Sequence, residues 1–188
     1  RKTYLNNMKK AIFLDRDGTI NVDEGHTYKI EDLEIIDGVI EALKLLGNKG
    51  YKFVIVTNQA GIGRGLFLEE DYFKFRDNMH KVLNEKGVKI SAEYFCPHHP
   101  EHGIGKYKVF CDCRKPKKGM LQSAANDFNL NLKECWMIGD KLSDIEAGKN
   151  AGCKTIHVLT GAEKTPISSA DFVAKNLFQN FSFRGFWH

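Results

Sequence analysis

What this sequence lacks excludes several classes of protein. No apolar run approaches the ~20 residues of a membrane span, and the polar segment at residues 1–7 lacks the apolar core of a secretion signal. Long lysine and arginine runs, low-complexity segments and internal repeats are also absent. The five cysteines do not indicate a disulfide framework. We therefore expect a cytoplasmic protein that binds neither membrane nor nucleic acid, in which residues 1–7 are a short disordered tail or a vector-derived remnant.

The length and composition predict one domain. A chain of 188 residues with 42% hydrophobic content can bury one sizeable core, but it is too short for two domains of typical size. We therefore expect a single domain over residues 8–188, and a monomer. The formal net charge of +4 suits an anionic partner, although charge by itself identifies none.

Apolar runs alternate with helical patterns along the chain, as a parallel sheet requires. Six segments are predicted to be strands: residues 10–15, 52–57, 90–96, 135–139, 154–159 and 171–174. Four helices are predicted between them, three on apolar faces that contain Leu43, Phe75 and Leu121 and a fourth over residues 142–150. Right-handed crossovers then give an α/β fold, a doubly wound parallel sheet in three α/β/α layers, with its ligand site at the carboxyl ends of the strands.

The first predicted strand ends in two carboxylates, in the segment Asp15-Arg16-Asp17-Gly18-Thr19. Residues i and i+2 of an extended segment point the same way, so Asp15 and Asp17 emerge together at the edge of the sheet. Two carboxylates in one site repel each other unless a cation or a shared proton intervenes. The pair therefore predicts a phosphoryl-transfer site with a divalent cation. Taken alone, an Asp-x-Asp-Gly segment could also be a turn or a calcium loop, so the prediction depends on the other motifs that meet at this edge.

Three further segments converge on this edge. The second strand leads into Thr57-Asn58-Gln59, whose hydroxyl and amide groups can hold phosphate oxygens. The fourth strand is followed by Asp140 and Asp144, and carboxylates suit Mg²⁺, which prefers oxygen ligands. The basic segment 114–118 is predicted to open the third helix, where the amino-terminal dipole adds to its positive charge.

The segment 96–113 carries the ligand set of a zinc site. Cys96-x-His98 and Cys111-x-Cys113 supply three thiolates and one imidazole, the ligand number and type of a closed tetrahedral Zn²⁺ site. Zinc at these four residues would fix the adjacent Arg114 beside the catalytic edge. The alternative is a set of unrelated cysteines in a reducing cytosol, with the histidine as a polar loop residue.

The motifs together resemble those of the haloacid dehalogenase-like superfamily. The resemblance is carried by Asp15-x-Asp17-Gly18-Thr19, Thr57, Lys115 and Gly139-Asp140-x-x-x-Asp144. It implies that Asp15 is a nucleophile that forms an aspartyl-phosphate, and that Asp17 is the general acid and base. Thr57 and Lys115 would steady the transferring phosphoryl group. Mg²⁺ would bind the Asp15 carboxylate, the Asp17 main-chain carbonyl and Asp140, with Asp144 in a supporting role.

Within that superfamily the chain is similar to the D-glycero-D-manno-heptose 1,7-bisphosphate phosphatase family of heptose nucleotide and lipopolysaccharide biosynthesis. The similarity is carried by segments 21–23, 57–65 and 139–142, and by the loop cysteines with residues 114–116 and 119–121. It implies hydrolysis of the 7-phosphate of a small sugar bisphosphate, with Mg²⁺ and Zn²⁺ as cofactors. The residues that it implies in substrate binding are Asp23, Glu24, Gly25, His26, Asn58, Gln59, Ala60, Arg114 and Lys141. The family usually has proline where this chain has Lys118, which adds charge near the expected second phosphate.

Three alternatives stay open. Histidinol-phosphate phosphatases resemble this chain in motifs and zinc loop, but they act on a cationic monophosphate for which Arg114 and Lys141 have less obvious use. A DNA 3′-phosphatase fits the single helix predicted between Asp17 and Thr57, which leaves no room for a large cap domain. The one candidate for stacking on bases is the aromatic segment 181–188, which we predict packs as a terminal anchor. A zinc-stabilised interaction module without enzymatic activity is the third alternative.

Overall fold

The computed structural model describes residues 9–180 and places six parallel strands in one sheet. The strands are β1 (Ala11–Leu14), β2 (Lys52–Asn58), β3 (Ile90–Cys96), β4 (Trp136–Gly139), β5 (Lys154–Val158) and β6 (Phe172–Ala174). Their order is β3-β2-β1-β4-β5-β6, and every neighbouring pair is parallel. The predicted doubly wound sheet is therefore confirmed. The tail predicted for residues 1–7 and the terminal anchor predicted for residues 181–188 lie outside the described residues.

Five α-helices connect these strands within residues 9–180. They are α1 (Val39–Asn48), α2 (Ala60–Gly63), α3 (Glu69–Glu85), α4 (Gly119–Phe128) and α5 (Leu142–Ala151). Short 3-10 turns occur at Ile30–Asp32, Gly105–Tyr107, Leu132–Glu134 and Phe178–Asn180. The sequence pattern predicted the four longer helices but missed α2, because four residues are too few to show a helical repeat of apolar positions. None of these helices is both long and apolar enough to cross a membrane.

The third predicted helix begins later than the sequence pattern indicated. We predicted that residues 114–118 open it, and this was wrong, because α4 begins at Gly119. The backbone of Lys115 pairs instead with the side chain of Asn58. The Lys115 N–H donates to Asn58 Oδ1 at 3.0 Å, and the Lys115 carbonyl accepts from Asn58 Nδ2 at 3.1 Å. Since these backbone groups are bound to the end of β2, the basic segment lies in the loop before α4.

Apolar side chains cover both faces of the sheet. In β1, Ile12 and Leu14 pack into one cluster with residues of α1 and α3, whereas Ala11 and Phe13 pack into a second cluster with residues of α4. All four side chains are fully buried. Burying apolar surface stabilises the fold by roughly 25 cal/mol per Å². Because β1 is buried on both faces, none of its positions is polar. Polar chemistry begins where the strand ends, at Asp15.

The strand order determines where the site lies. The order reverses at β1, with β2 on one side and β4 on the other. Ligands of open α/β sheets bind at such a switch point, outside the carboxyl ends of the strands. Asp15 follows β1, and its N–H donates to the main-chain oxygen of Ile138 in β4 at 2.9 Å. Between β1 and β2 the chain forms one 3-10 turn and α1, so the part of the chain described here contains no large cap domain at that position.

We expect Gly148→Ala to destabilise the protein although alanine favours helices. Gly148 lies in α5, and a Cβ there would lie 2.6 Å from Met137 Cβ and 2.7 Å from Thr155 Cγ2. Overpacking of this kind costs about 1–3 kcal/mol. Gly47→Ala in α1 is the matched control, because its Cβ would meet the Phe53 ring at an ordinary 3.6 Å and should stabilise by up to about 1 kcal/mol. Urea unfolding that shifted both variants in the same direction would contradict this packing.

Candidate active site

The carboxyl edge of the sheet is centred on the ammonium group of Lys115. Its Nζ donates to the main-chain oxygen of Val56 at 2.7 Å and to Asp15 Oδ1 at 2.7 Å, and it lies 2.6 Å from Asp144 Oδ1. The three charged side chains are at most 6% exposed. Burial alone would lower the pKa of Lys115, but the carboxylates of Asp144 and Asp15 hold that pKa above its ordinary value. Lys115 is therefore a cation held between two carboxylates.

Three buried carboxylates meet at this edge. One oxygen each of Asp15, Asp140 and Asp144 lie within 4.8 Å of one another. Burial and the charge of Asp15 raise the pKa of Asp140 to about 8 and that of Asp144 to about 6. Burial would also raise the pKa of Asp15, but the cations of Lys115 and Lys141 hold it below its ordinary value. The proposed nucleophile Asp15 therefore stays ionised, whereas the pKa values of its neighbours Asp140 and Asp144 are raised.

This carboxylate group fits a hard divalent cation. Asp140 Oδ1 is buried and has no hydrogen-bond partner among residues 9–180. An unpaired buried carboxylate oxygen is costly unless a cation or donor satisfies it. Mg²⁺ prefers oxygen ligands and would also relieve the repulsion between the three carboxylates. The residues present therefore suit Mg²⁺.

A loop that the sequence analysis missed positions Asp140. The Ala162 N–H donates to Asp140 Oδ2 at 2.6 Å, and Thr160 Oγ1 donates to the main-chain oxygen of Gly18 at 2.7 Å. A Cβ on Gly161 would collide with the Asp140 carboxylate, and one on Gly18 would lie 2.6 Å from Asp140 Oδ2. Both glycines are needed for this close approach. The signal in the sequence was the Thr160-Gly161 pair after the fifth strand, whose carboxyl end faces the same edge.

Asp17 is held by three side chains. Arg16 donates from Nε to Asp17 Oδ1 at 3.0 Å and from Nη2 to Asp17 Oδ2 at 2.9 Å. Asn21 Nδ2 donates to Oδ1 at 3.0 Å. Gln59 Nε2 donates both to Oδ2 and to Thr57 Oγ1 at 2.9 Å. Sequence reasoning placed Thr57 and Gln59 at this edge but missed Arg16 and Asn21, because neither residue type indicates a site by itself.

A small cavity of about 30 Å³ lies among these groups. Its lining consists of Asp15, Asp17, Thr57, Asn58, Lys115, Lys141, Ser143 and Asp144. The structure thus brings together every residue predicted to be catalytic, with Asn58 and Lys141 from the predicted substrate-binding set. A larger cavity of about 760 Å³, among lysines at the amino ends of the strands, contains none of the predicted site residues. We assign the site by its chemistry rather than by cavity size.

The other residues predicted to bind substrate do not line the small cavity. Glu24, Gly25 and His26 line a separate cavity of about 580 Å³. Asp23 Oδ1 accepts a hydrogen bond from the Gly25 N–H at 3.0 Å, which holds this loop in a turn. Ala60 begins α2. Arg114 Nη1 donates to the main-chain oxygen of His98 at 3.2 Å. A role for these residues in binding substrate stays a prediction.

The residues predicted to bind zinc form one cluster. The Cys113 sulfur lies 2.9 Å from that of Cys96 and 3.3 Å from that of Cys111. His98 Nδ1 lies 3.4 Å from Cys113 Sγ and 3.7 Å from Cys96 Sγ. Tetrahedral zinc with Zn–S bonds of about 2.3 Å needs sulfur separations of about 3.8 Å, so the sulfurs need to move apart by less than about 1 Å. Hydrogen bonding to Cys96 lowers the pKa of Cys113 to about 5, which favours the thiolate that binds metal.

Two known proteins of similar sequence are named as heptose-bisphosphate phosphatases. A model of the HAD-hydrolase-like family matches residues 112–179. The chain is 47% identical over 173 residues to the D-glycero-beta-D-manno-heptose-1,7-bisphosphate 7-phosphatase of Haemophilus ducreyi, covering 90% of this chain and 94% of that protein. It is 45% identical over 161 residues to the D-glycero-alpha-D-manno-heptose-1,7-bisphosphate 7-phosphatase of Burkholderia mallei, covering 86% and 85%.

The fold is similar to that of a solved structure with a related name. The D,D-heptose 1,7-bisphosphate phosphatase from B. bronchiseptica, complexed with magnesium and phosphate, matches with a TM-score of 0.80 and 30% identity, covering 93% of this chain and 97% of that one. Sequence and fold therefore confirm the resemblance carried by the motifs. The chain belongs to the heptose-1,7-bisphosphate 7-phosphatase family of the haloacid dehalogenase-like hydrolases.

Proposed function

We propose that this chain hydrolyses the 7-phosphate of D-glycero-D-manno-heptose 1,7-bisphosphate through an aspartyl-phosphate on Asp15. The observation that carries the proposal is the buried contact of Lys115 with both Asp15 and Asp144, which keeps one carboxylate ionised at the switch point of the sheet. The names of the relatives support the substrate class. They favour neither histidinol phosphate nor a DNA 3′-end as the substrate.

The proposed reaction has two displacement steps at phosphorus. An Asp15 carboxylate oxygen attacks the 7-phosphate, the bond from phosphorus to the sugar oxygen breaks, and Asp17 gives that oxygen a proton. Water then attacks the phosphorus, Asp17 takes a proton from the water, and the bond from phosphorus to Asp15 breaks. Inorganic phosphate leaves, Asp15 is again a carboxylate, and Asp17 again carries the proton that it gave up in the first step. Thr57 and Lys115 offset charge on the phosphoryl oxygens throughout.

Two metal ions are part of the proposal. Mg²⁺ would be held by the carboxylates of Asp15 and Asp140 and by the main-chain carbonyl of Asp17. When bound, it supplies positive charge that favours the approach of an anionic phosphate to an anionic nucleophile. Zn²⁺ would be held by Cys96, His98, Cys111 and Cys113 as a structural ion. It would fix the loop that ends at Arg114.

The second phosphate of the substrate is assigned to Arg114 and Lys141. Lys141 lines the cavity, and although burial would lower its pKa, the carboxylates of Asp15 and Asp140 hold that pKa above its ordinary value. Arg114 offers a fork of donors that matches a phosphate. The loop from Asp23 to His26 would contact the sugar. The expectation of a monomeric, cytoplasmic protein stays a prediction.

A phosphate-release assay tests the proposed substrate. The relatives include enzymes named for the beta and for the alpha anomer, so both anomers of the heptose bisphosphate must be assayed separately, with and without Mg²⁺. We expect Mg²⁺-dependent release of one phosphate per molecule from at least one anomer. Activity on histidinol phosphate with none on either anomer would replace the proposal by its first alternative.

We expect Asp15→Asn to abolish turnover, because the neutral amide cannot act as the nucleophile. The loss in kcat should be at least about 1000-fold, as for removal of other catalytic nucleophiles. Acid-quenched protein should carry covalent phosphate in the parent and none in the variant. Asp37→Asn is the control, since Asp37 is exposed and does not line the active-site cavity. Unchanged turnover by Asp15→Asn would exclude the covalent mechanism.

We expect Arg114→Ala to weaken hydrolysis of the bisphosphate selectively. Loss of a charged hydrogen bond to the second phosphate should lower kcat/KM for the heptose bisphosphate by about tenfold or more, while p-nitrophenyl phosphate, which lacks a second phosphate, should be affected less than about twofold. Lys117→Ala is the control, because Lys117 is an exposed cation of the same loop, 3.4 Å from Asp112. Equal losses on both substrates would remove the specificity role of Arg114.

We expect the purified protein to contain about one zinc per chain, because four ligand groups converge in residues 96–113. Cys113→Ser should lose the zinc and lower the thermal midpoint. Cys153→Ala is the control, since Cys153 is a buried cysteine outside the cluster and its variant should keep the metal. Metal analysis that found the same zinc content in Cys113→Ser as in the parent would rule out the proposed ligand set.

A further inference from the structure

Arg16 is a fully buried cation that does not line the active-site cavity. Its side chain is 0% exposed, and it lies between the proposed nucleophile Asp15 and the proposed acid and base Asp17 in sequence. Its Nε and Nη2 atoms donate to the two carboxyl oxygens of Asp17, as a two-pronged fork. Nη2 also donates to the main-chain oxygen of Thr27 at 2.6 Å. The guanidinium is therefore fixed at three points.

Two aromatic rings of helix α3 pack against this guanidinium. The Phe75 ring centre lies 4.6 Å from Arg16 Cζ, and the Tyr72 ring centre lies 5.8 Å from it. A cation within about 6 Å of an aromatic face is attracted to that face, most strongly where both groups are shielded from water. Both rings are fully buried. Arg16 thus packs against two rings of α3 and also binds Asp17.

A second buried carboxylate lies beyond Tyr72. The Tyr72 hydroxyl donates to Glu93 Oε1 at 2.7 Å, and His80 Nε2 lies 2.7 Å from Glu93 Oε2. The Glu93 side chain is 1% exposed. Burial and the Glu93 charge raise the pKa of Tyr72, so the hydroxyl keeps its proton and remains a donor. Burial would lower the pKa of Arg16, but the charge of Asp17 and, after it, that of Glu93 hold this pKa above its ordinary value.

Buried charges are strongly destabilising unless they are paired. Asp17 gives up and takes back a proton in the proposed reaction, so it does not balance Arg16 at every stage. Glu93 takes no part in that reaction and is the second acidic group that acts on Arg16. Its partners on α3, Tyr72 and His80, fix its position. The contacts from Asp17 through Arg16 and Tyr72 to Glu93 therefore connect the active site to the packing of α3 against β3.

We propose that Arg16 is a positioning residue that aims the Asp17 carboxyl group at the leaving oxygen, and that Glu93 holds Arg16 in place from β3. The proposal rests on the proposed function, since it takes Asp17 as the acid for the leaving group. A purely structural role for Arg16 would change stability without changing how the enzyme treats different leaving groups.

The test compares phenyl phosphate with p-nitrophenyl phosphate. The two substrates have rings of similar size, but p-nitrophenol is the more acidic and leaves without help from an acid. The parameter kcat/KM reports the steps up to formation of the phosphoenzyme. In Arg16→Lys, which keeps the charge and loses the fork, we expect kcat/KM for phenyl phosphate to fall by about 100-fold, and that for p-nitrophenyl phosphate by less than about threefold.

Two tyrosine variants supply a matched control. Tyr72→Phe removes the hydroxyl that binds Glu93 and should shift the ratio of the two kcat/KM values in the same direction, by roughly threefold to tenfold. Tyr94→Phe removes a hydroxyl from the neighbouring position of β3, where it donates to Asp127, and should leave the ratio unchanged. An unchanged ratio in Tyr72→Phe, or an equal change in both tyrosine variants, would overturn the link through Glu93.

Equal losses on the two aryl phosphates in Arg16→Lys would overturn the positioning role. Should Arg16→Lys fail to fold, Glu93→Gln carries the same comparison, because it keeps the shape of Glu93 and removes its charge, and an unchanged ratio there would equally contradict the proposal. Failure of the heptose assignment is a separate result, since it appears as absent phosphate release from the bisphosphates. The aryl phosphates measure leaving-group protonation whatever the natural substrate is.

Discussion

The active-site edge depends on one buried interaction, the contact of the Lys115 ammonium with the carboxylates of Asp15 and Asp144. Carboxylates this close repel each other, and a buried charge that loses its partner is strongly destabilising. Lys115 and Asp15 are 100 positions apart in sequence, so the contact joins the loop before α4 to the end of β1. It sets both the position of the proposed nucleophile and its ionised state.

The position of Lys115 in turn depends on contacts with the ends of two strands. The Asn58 side chain at the end of β2 binds both the N–H and the carbonyl of Lys115. Cys96 at the end of β3 contacts Cys113, two residues before Lys115. Because both anchors belong to neighbouring strands, the lysine is located by the rigid sheet rather than by a helix. A structural zinc ion in the loop would therefore affect the chemistry without touching the substrate.

Much of this arrangement could be predicted from the sequence because the relevant signals are local. The β1 strand is an unbroken apolar run, as expected for a strand covered on both faces, and Asp15 and Asp140 follow such runs directly. Other features left no local signal. Helix α2 is too short to show a repeat, and the start of α4 was misplaced because the pairing of Lys115 with Asn58 connects residues 57 positions apart. The loop that contains Gly161 was missed for the same reason.

By itself the sequence determined the alternation of the strands with the four longer helices along the chain, the residues that stand at the ends of the strands, and the cysteines and histidine that are candidates to bind zinc. Residue type and spacing are sufficient for these features, since strand burial and metal-ligand chemistry depend on few neighbours. Only the tertiary structure decided which charges are paired. Lys115 with Asp144 and Glu93 with Tyr72 depend on packing between separate elements, because a buried charge takes the partner that the folded chain brings within hydrogen-bond distance.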